Sequence, residues 1–159
     1  MNSSEVASAA EAIRNLKARY CIAVDTKDAE MLRSTLAEDA TADFAGALTD
    51  PSSGAKQRES SIAGVLRGRD QIVAAIMEAV APLVTVHHCA TGEVLVDGPN
   101  MARATWPIAD RLRMPAGSRV SEIVAFGFYH ETYIPENGAW KIETITMSRL
   151  RVDRILSES

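Results

Sequence analysis

The pattern of the chain changes at about Leu83, and this change constrains the fold more than any other feature. Before it, apolar residues recur every three or four positions, as on one face of a helix. After it, three turn clusters separate runs rich in β-branched and aromatic residues: Asp97-Gly98-Pro99-Asn100, Pro115-Ala116-Gly117-Ser118 and Pro135-Glu136-Asn137-Gly138. Because connections this short make neighbouring strands antiparallel, residues 84–152 are predicted to form a meander of four long strands. Helices followed by strands predict an α+β fold, with the helices on one face of a curved sheet.

Three helices are predicted before the meander. The first spans about residues 5–24 and is predicted from an apolar stripe: Val6, Ala10, Ile13, Leu16, Tyr20 and Val24. Asp28 is expected to cap a short second helix, and Asp70 a third helix that ends at Pro82. A short strand over residues 41–45 is expected to join an edge of the sheet.

Length and composition exclude several classes of protein. The 159 residues, 47% of them apolar, predict a single domain over residues 1–159 with a substantial core. A net charge of -4, without a Lys/Arg block interleaved with aromatic residues, argues against nucleic acid as a partner. The first residues lack the pattern of an export signal, and no stretch reaches the roughly 18 apolar residues of a membrane span. The sequence therefore predicts a soluble, cytoplasmic protein with no membrane partner, in which Cys21 and Cys89 are reduced core residues.

The segment over residues 46–68 is rich in Ser, Gly and charged residues, and it is longer than most connections in compact domains. Two interpretations stay open for it. The segment is either a lid over a pocket or a disordered excursion on the surface.

Several polar and aromatic residues follow one another in a recognisable order. They are Tyr20-x4-Asp25, a histidine at the start of the first long strand, Trp106-x3-Asp110-Arg111-Leu112, and Phe128-Tyr129-x3-Tyr133 followed by Asn137-Gly138-x-Trp140. With the order of helices and strands, this set resembles the SnoaL-like branch of the nuclear transport factor 2-like superfamily, which has a cone-shaped fold, and within it the bile acid 7α-dehydratase group. Scytalone dehydratase and the lindane dehydrochlorinase are more distant relatives that share the Asp/His pair. The resemblance covers nearly the whole chain, although residues 51–66 form a longer segment than in that dehydratase.

The resemblance implies an elimination without a metal or organic cofactor, on a hydrophobic oxygenated ring compound such as a steroid or polyketide-like alcohol. By analogy, Asp25 holds His87, and His87 takes a proton next to a carbonyl or helps a hydroxyl to leave. Tyr20 and Asp110 would form hydrogen bonds to substrate oxygens. Two alternatives stay open: an isomerase or cyclase resembling ketosteroid isomerase or the polyketide cyclases, and a non-catalytic small-molecule binding protein.

Asp25 and Tyr20 each have a second interpretation. A carboxylate near the end of a helix faces the negative end of the helix dipole, which favours a role for Asp25 other than stability. The alternative is that Asp25 starts the turn over residues 26–28 by binding backbone amides. Tyr20 lies in the apolar stripe of the first helix, where an ordinary core tyrosine would also lie.

His87 and His88 are adjacent on a predicted strand, so their side chains point to opposite faces and only one can meet Asp25. Counting back from the turn at Asp97 favours His87 as the base, because the family's histidine falls on the first of the pair. A β-bulge near Gly92 would favour His88 instead. A zinc site is not predicted, because adjacent histidines on a strand cannot readily bind one ion together.

Asp110 is predicted to share a face with Trp106 and Ile108, which makes it a candidate site residue. Its neighbours Arg111 and Arg113 lie on the other face, so a simple ion pair is not expected.

Three further basic residues have two interpretations each. His130 continues the alternation of Phe126 and Phe128 and is expected to be a buried structural histidine, with a polar group of the pocket as the alternative. Arg149 and Arg151 are predicted to share one solvated or interface face of the last strand, with an anchor for an anionic substrate tail as the alternative.

Self-association is expected, because one set of helices can cover only one face of the sheet. The other face is predicted to carry Leu95, Ile145 and Met147, which would be partly buried against another subunit. A homotrimer is the prediction, with a dimer as the alternative.

Overall fold

The computed structural model describes residues 1–53, 60–62 and 64–158. Its helices are α1 (Ser3–Thr26), α2 (Ala29–Thr35) and α3 (Arg69–Val80), with a single 3-10 turn at Pro51–Ser53. Its strands are β1 (Leu36–Asp43), β2 (Val65–Arg67), β3 (Val84–Cys89), β4 (Glu93–Gly98), β5 (Met101–Arg113), β6 (Val120–Glu136) and β7 (Ala139–Leu156). Three helices pack against one side of a curved sheet, which confirms the predicted α+β fold within the described residues.

The sheet has the strand order β2-β1-β7-β6-β5-β3, and β4 also pairs with β5. The pairs are antiparallel except that between β1 and β7, which is parallel. The short strand near residue 41 joins the edge of the predicted meander, where it pairs with β7, and β2 then forms the outermost strand on that side. The mainly antiparallel character follows from the short turns between β5, β6 and β7.

The predicted first long strand is wrong, because the chain forms two short strands there, β3 and β4. Both pair with β5, and the break between them contains Gly92. A Cβ atom at Gly92 would lie 2.3 Å from the Cε3 atom of Trp106. Glycine is therefore required where the chain passes over the indole ring, and the strand is interrupted at this point.

The helix ends agree with the predicted caps in one case and differ in another. Asp28 caps α2 as predicted, accepting a hydrogen bond of 2.9 Å from the backbone N–H of Met31. Asp70 does not cap α3, which begins after Gly68; it lies in the first turn and binds Arg33 instead. The prediction for α1 is short by two residues at each end, and a capping box between Asn2 and Glu5 begins this helix.

A bulge between β6 and β7 determines which side chains of β7 face the helices. The pairing shifts between Phe126 and Gly127, and a Cβ at Gly127 would lie 2.1 Å from the carbonyl oxygen of Ser148. Because a bulge changes the alternation of side chains, Arg149 points inward while Arg151 is exposed. The prediction that these two arginines share a solvated face is wrong.

The sheet and α1 enclose a buried ion pair between Lys17 and Glu131. The part of the fold around these two residues is called the closed end. The Nζ atom of Lys17 lies 2.5 Å from Oε1 of Glu131. The same ammonium lies 4.5 Å from the ring centroid of Tyr20 and 3.5 Å from that of Tyr129. The hydroxyl of Tyr133 donates a hydrogen bond to Glu131. These contacts link α1 to the sheet across 114 positions of the chain, and no sequence pattern indicated a role for Lys17 or Glu131.

Two of the three residues predicted on the outer face lie in the core. Ile145 and Met147 are only 1% and 9% exposed, because they face the helices, whereas Leu95 is exposed. Their predicted position on an outer interface is therefore wrong, and the homotrimer stays a prediction. In the described part of the chain, none of the helices combines the length and apolar character that a membrane span requires.

Candidate active site

A cavity of about 320 Å³ opens between the helices and the concave face of the sheet. Most of its lining is apolar, with side chains from α1, α3, β5, β6 and β7, among them Val24, Ile76, Leu112, Ile123 and Met147. Besides Ser60 and Ser61, five polar side chains from α1 and the sheet line it: Tyr20, His87, Asp110, Tyr129 and Arg149. An apolar pocket with a few convergent polar groups is typical of small-molecule sites.

Asp25, at the end of α1, is bound to β3 by three hydrogen bonds. Its Oδ1 atom lies 2.6 Å from Nδ1 of His87 and accepts a bond of 2.9 Å from the hydroxyl of Thr85. Its Oδ2 atom accepts a bond of 2.8 Å from the backbone N–H of His87. These contacts give the carboxylate a role at the unfavourable end of the helix dipole, and they replace the alternative in which Asp25 starts the following turn.

The protonation of this pair follows from its contacts. Burial opposes ionisation of Asp25, but the hydrogen bonds from His87 and Thr85 outweigh it and lower the pKa of the carboxyl below its usual value. Burial also opposes a charge on His87, yet the hydrogen bond to Asp25 and the nearby Asp110 carboxylate raise the pKa of the imidazole. Asp25 is therefore an anion that orients His87 through Nδ1 and leaves Nε2 for a proton acceptor role.

His87 faces the cavity, and His88 does not. The Nε2 atom of His87 lies 3.9 Å from Oδ1 of Asp110, and its side chain is 10% exposed. His88 is exposed, one position along β3. The first of the two histidines is therefore the one beside Asp25, and its catalytic role stays a prediction.

Asp110 forms an ion pair with Arg149, which the sequence analysis did not expect. The Nη2 atom of Arg149 lies 2.6 Å from Oδ2 of Asp110, and the side chains are 4% and 2% exposed. The Nε atom of Arg149 donates a further bond of 2.8 Å to the carbonyl oxygen of Ala47. Arg149 was predicted to be solvated or at an interface, so that prediction is wrong. Arg149 continues the inward alternation of Ile145 and Met147 along β7, and the shift in pairing at Gly127 turns Arg151 outward.

Two atoms of this ion pair have no hydrogen-bond partner among the described residues. They are Oδ1 of Asp110 and Nη1 of Arg149, both buried. An unpaired acceptor and an unpaired donor in a buried site are costly to leave unmatched. Both residues line the cavity, so they are candidates for hydrogen bonds to a ligand.

Tyr20 and Tyr129 form a second polar pair in the cavity wall. Their rings meet edge to face with centroids 6.1 Å apart. Burial raises the pKa of both phenols, so both are neutral and keep their protons for hydrogen bonding. Tyr129 was part of the sequence motif, but no role was assigned to it.

The segment over residues 46–68 borders the cavity where the structure describes it. Ala47, Leu48 and residues 60–62 contribute to the lining. Asp50 fixes the start of the segment to β7 by accepting a bond of 2.9 Å from the backbone N–H of Val152. Residues 54–59 and 63, on which the choice between a lid and a surface excursion depends, lie outside the described residues.

His130 lies on the outer face of the sheet, so its prediction as a buried histidine is wrong. It is exposed, and its Nε2 atom lies 2.8 Å from the hydroxyl of Ser148. Cys21 and Cys89 are free thiols, with Cys21 buried and Cys89 partly exposed. Across the described ranges, no group of three His, Cys, Asp or Glu side chains lies close enough together to hold a metal ion.

Comparison with known proteins gives a family and several solved structures of the same fold. The model of the SnoaL-like domain matches residues 5–146. A type 2 hexachlorocyclohexane dehydrochlorinase, LinA, is 15% identical with a TM-score of 0.71, over 93% of this chain and 89% of that one. A scytalone dehydratase-like protein from Novosphingobium aromaticivorans is 16% identical with a TM-score of 0.72, over 94% and 89% of the two chains.

The Kfla4162 protein from Kribbella flavida is 16% identical with a TM-score of 0.76, over 96% of this chain and 95% of that one. At these identities the likeness shows the fold alone. No curated protein matches the chain. The resemblance to the SnoaL-like branch is thus confirmed, while the finer likeness to the bile acid 7α-dehydratase group stays a prediction. Since the family model covers most of its length, the chain belongs to the SnoaL-like domain family of the nuclear transport factor 2-like superfamily.

Proposed function

We propose that the protein is a cofactor-independent lyase, dehydratase-like, which acts on a hydrophobic oxygenated ring compound by proton transfer through Asp25 and His87. The observation that carries this proposal is the imidazole of His87, which lies in an apolar cavity between two carboxylates. Its Nδ1 atom is 2.6 Å from Asp25 and its Nε2 atom is 3.9 Å from Asp110. A histidine oriented by a carboxylate on one nitrogen is a suitable general base on the other.

The shape and polarity of the cavity favour a ring compound as the substrate. A volume of about 320 Å³ lies within the range of small-molecule sites. Apolar walls from α3 and the sheet would bury the rings, and the few polar groups would fix the oxygen atoms. The polar groups lie on the sheet side and on α1, so the substrate would present its oxygenated edge there.

The first chemical step would be removal of a proton from the carbon next to a carbonyl group. Nε2 of His87 takes the proton, and the Asp25 carboxylate stabilises the imidazolium that forms. Negative charge then develops on the carbonyl oxygen of the substrate. The neutral hydroxyls of Tyr20 and Tyr129 are donors in the cavity wall that can stabilise this charge.

The second step would be loss of a hydroxyl group, for which the ion pair of Asp110 and Arg149 provides a site. One hydroxyl can accept a hydrogen bond from Nη1 of Arg149 and donate one to Oδ1 of Asp110, the two unpaired atoms of the described residues. The imidazolium of His87 can return its proton to that oxygen, so that water leaves. A halide cannot donate a hydrogen bond to a carboxylate, and these two atoms therefore favour water as the leaving group.

Two of the solved structures of the same fold carry names of elimination enzymes, a dehydrochlorinase and a scytalone dehydratase-like protein. This agrees with a lyase but does not select a substrate. An isomerase or cyclase would use the same proton transfer without loss of a leaving group. A binding protein would use the cavity alone.

The test is a panel of 3-oxo steroids and hydroxylated polyketides, incubated with the purified protein and followed by mass spectrometry. Loss of one water from a member of the panel is the expected result. His87→Gln should abolish it, since glutamine cannot accept the proton at neutral pH, whereas His88→Gln on the opposite face is the matched control and should retain it. Conversion to a product of unchanged mass would replace the lyase by an isomerase or cyclase. Saturable binding of a compound without any conversion would favour a non-catalytic binding protein over an enzyme.

A further inference from the structure

The helix α1 and the strand β3 run side by side at Asp25 and His87, and this alignment continues along both elements. Four residues of a helix rise about 6 Å and two residues of a strand rise about 6.7 Å, so the two elements stay in step. Moving four residues back along α1 from Asp25 reaches Cys21. Moving two residues forward along β3 from His87 reaches Cys89. The two cysteines of the chain are thus the next facing pair, and Cys89 packs against the core cluster that contains Cys21.

The two thiols differ in exposure. Cys21 is 7% exposed and belongs to the core between α1 and the sheet. Cys89 is partly exposed on β3, the strand at one end of the sheet, and borders a groove on the outer surface next to Pro107 and Phe126. A small oxidant can therefore reach Cys89 from solvent while Cys21 is protected.

The two thiols also differ in acidity. The neighbouring Cys21 thiol lowers the pKa of the Cys89 thiol, although burial of Cys89 opposes this, and the Lys17 ammonium adds to the effect. The neighbouring Cys89 thiol, together with burial, raises the pKa of the Cys21 thiol far above its usual value. A partly exposed thiol that ionises more readily, next to a second thiol that keeps its proton, is the arrangement of a peroxide-sensitive cysteine with a resolving cysteine.

We propose that Cys21 and Cys89 form a redox modification site, in which hydrogen peroxide oxidises Cys89 and Cys21 then closes a disulfide between α1 and β3. In the first step the Cys89 thiolate attacks one peroxide oxygen, the O–O bond breaks, and sulfenic acid and hydroxide form. In the second step the sulfur of Cys21 attacks the sulfur of Cys89, the S–O bond breaks, and the released hydroxide takes the proton of Cys21 to leave as water. The sulfurs lose two electrons in total, and the peroxide is reduced to water.

This bond would join the two elements that hold the proposed proton-transfer pair. It lies one helical turn from Asp25 and two residues from His87. Neither thiol takes part in the proposed reaction, so the modification does not depend on the substrate or on the type of reaction.

The experiment treats the reduced, folded chain with hydrogen peroxide and then alkylates the remaining thiols. Intact mass gives the number of free thiols, and proteolysis without reductant identifies linked peptides. In the wild-type chain both thiols should be lost together, with a linked peptide that contains Cys21 and Cys89. Cys21→Ala should stop at sulfenic acid on Cys89, which dimedone traps, while Cys89→Ala should leave Cys21 reduced.

Several results would overturn the proposal. One is trapping of sulfenic acid on Cys89 in the wild-type chain without formation of the linked peptide. Another is equal oxidation of Cys21 in Cys89→Ala, which would remove the assigned order of reaction. Linkage between two chains in place of linkage within one would do the same. Cys21→Ser provides a second variant if the alanine variant does not fold, and the urea-unfolded chain shows whether the linkage requires the fold.

Discussion

Two buried ion pairs involve strands of the same sheet, and they differ in how completely their atoms are hydrogen-bonded. At the closed end, Lys17 binds Glu131, and the remaining carboxylate oxygen of Glu131 accepts a bond from Tyr133. In the cavity, Asp110 binds Arg149, but one atom of each has no partner among the described residues. Both pairs are almost fully buried.

The difference separates a structural network from a candidate site. A buried polar network that is fully hydrogen-bonded rigidifies the core, and one that is incomplete costs free energy unless a ligand completes it. The indole N–H of Trp106 extends the closed network with a bond of 2.9 Å to Tyr133. The cavity pair instead lies 3.9 Å from the imidazole of His87, where a substrate would supply the missing partners.

The largest expected effect is on turnover, from changes to the proton-transfer pair in the cavity. Asp25→Asn and His87→Gln should each reduce turnover by about 100-fold to 10,000-fold, the usual contribution of a positioned general base. The melting temperature should change little, because both replacements keep hydrogen-bonding groups in place. Steady-state kinetics on a substrate identified by the panel, together with thermal unfolding, checks both statements. Near-normal turnover in both variants would show that the cavity does not use this pair.

The next effect is on stability and concerns the closed end. Lys17→Met leaves the carboxylate of Glu131 buried without its cation, which should lower the free energy of unfolding by about 3–5 kcal/mol. The double variant Lys17→Met/Glu131→Gln removes both charges and keeps an acceptor for Tyr133, so it should recover most of that loss. Urea unfolding measures both. If the single variant is as stable as the wild-type chain, the contrast between the two ion pairs has no energetic basis.

A smaller effect on turnover is expected when Arg149 is replaced by a residue that keeps the positive charge but not the planar guanidinium. Arg149→Lys retains a cation opposite Asp110 and removes the guanidinium fork, including the unpaired Nη1 atom. Loss of one hydrogen bond to the leaving group should reduce turnover by about 10-fold to 100-fold, while the free energy of unfolding falls by about 1 kcal/mol. A large loss of stability with unchanged turnover would show that Arg149, like Lys17, has only a structural role.

The features of the fold and the site that the sequence could predict are those set by the spacing of neighbouring residues. The apolar stripe of α1 and the Asp28 cap are read from neighbouring residues, and both occur in the structure. The contact of Asp25 with His87 joins positions 62 residues apart, and only the family resemblance indicated it.

The parts that sequence missed depend on distant pairings and on single irregular residues. Arg149 lies on the inward face with Ile145 and Met147, and the bulge opposite Gly127 turns Arg151 to the other face. The pair of Lys17 and Glu131 requires the position of α1 across the sheet, and no local pattern encodes it. The break at Gly92 depends on the indole of Trp106 on the neighbouring strand.

The smallest effect concerns pH, and it distinguishes the contribution of Asp25 and His87 to activity from their contribution to stability. Contacts with Asp25 and Asp110 hold the pKa of His87 above its usual 6.5, and contacts with His87 and Thr85 hold that of Asp25 below its usual 3.8. Because the base must be unprotonated, kcat/KM should rise about tenfold per pH unit below the His87 pKa and level off above it. The stabilisation from protonated His87 has the opposite trend: it is fully present below about pH 6.5 and is lost as pH rises through the higher folded-state pKa. The contribution of Asp25 is present above its ordinary pKa and is lost in acid, as pH falls through the lowered value.

Asp25→Asn should move the rise in kcat/KM to lower pH, because the imidazole loses its main charged partner, whereas His88→Gln should leave the profile in place. A profile that Asp25→Asn does not move would mean that a group other than His87 controls the rate.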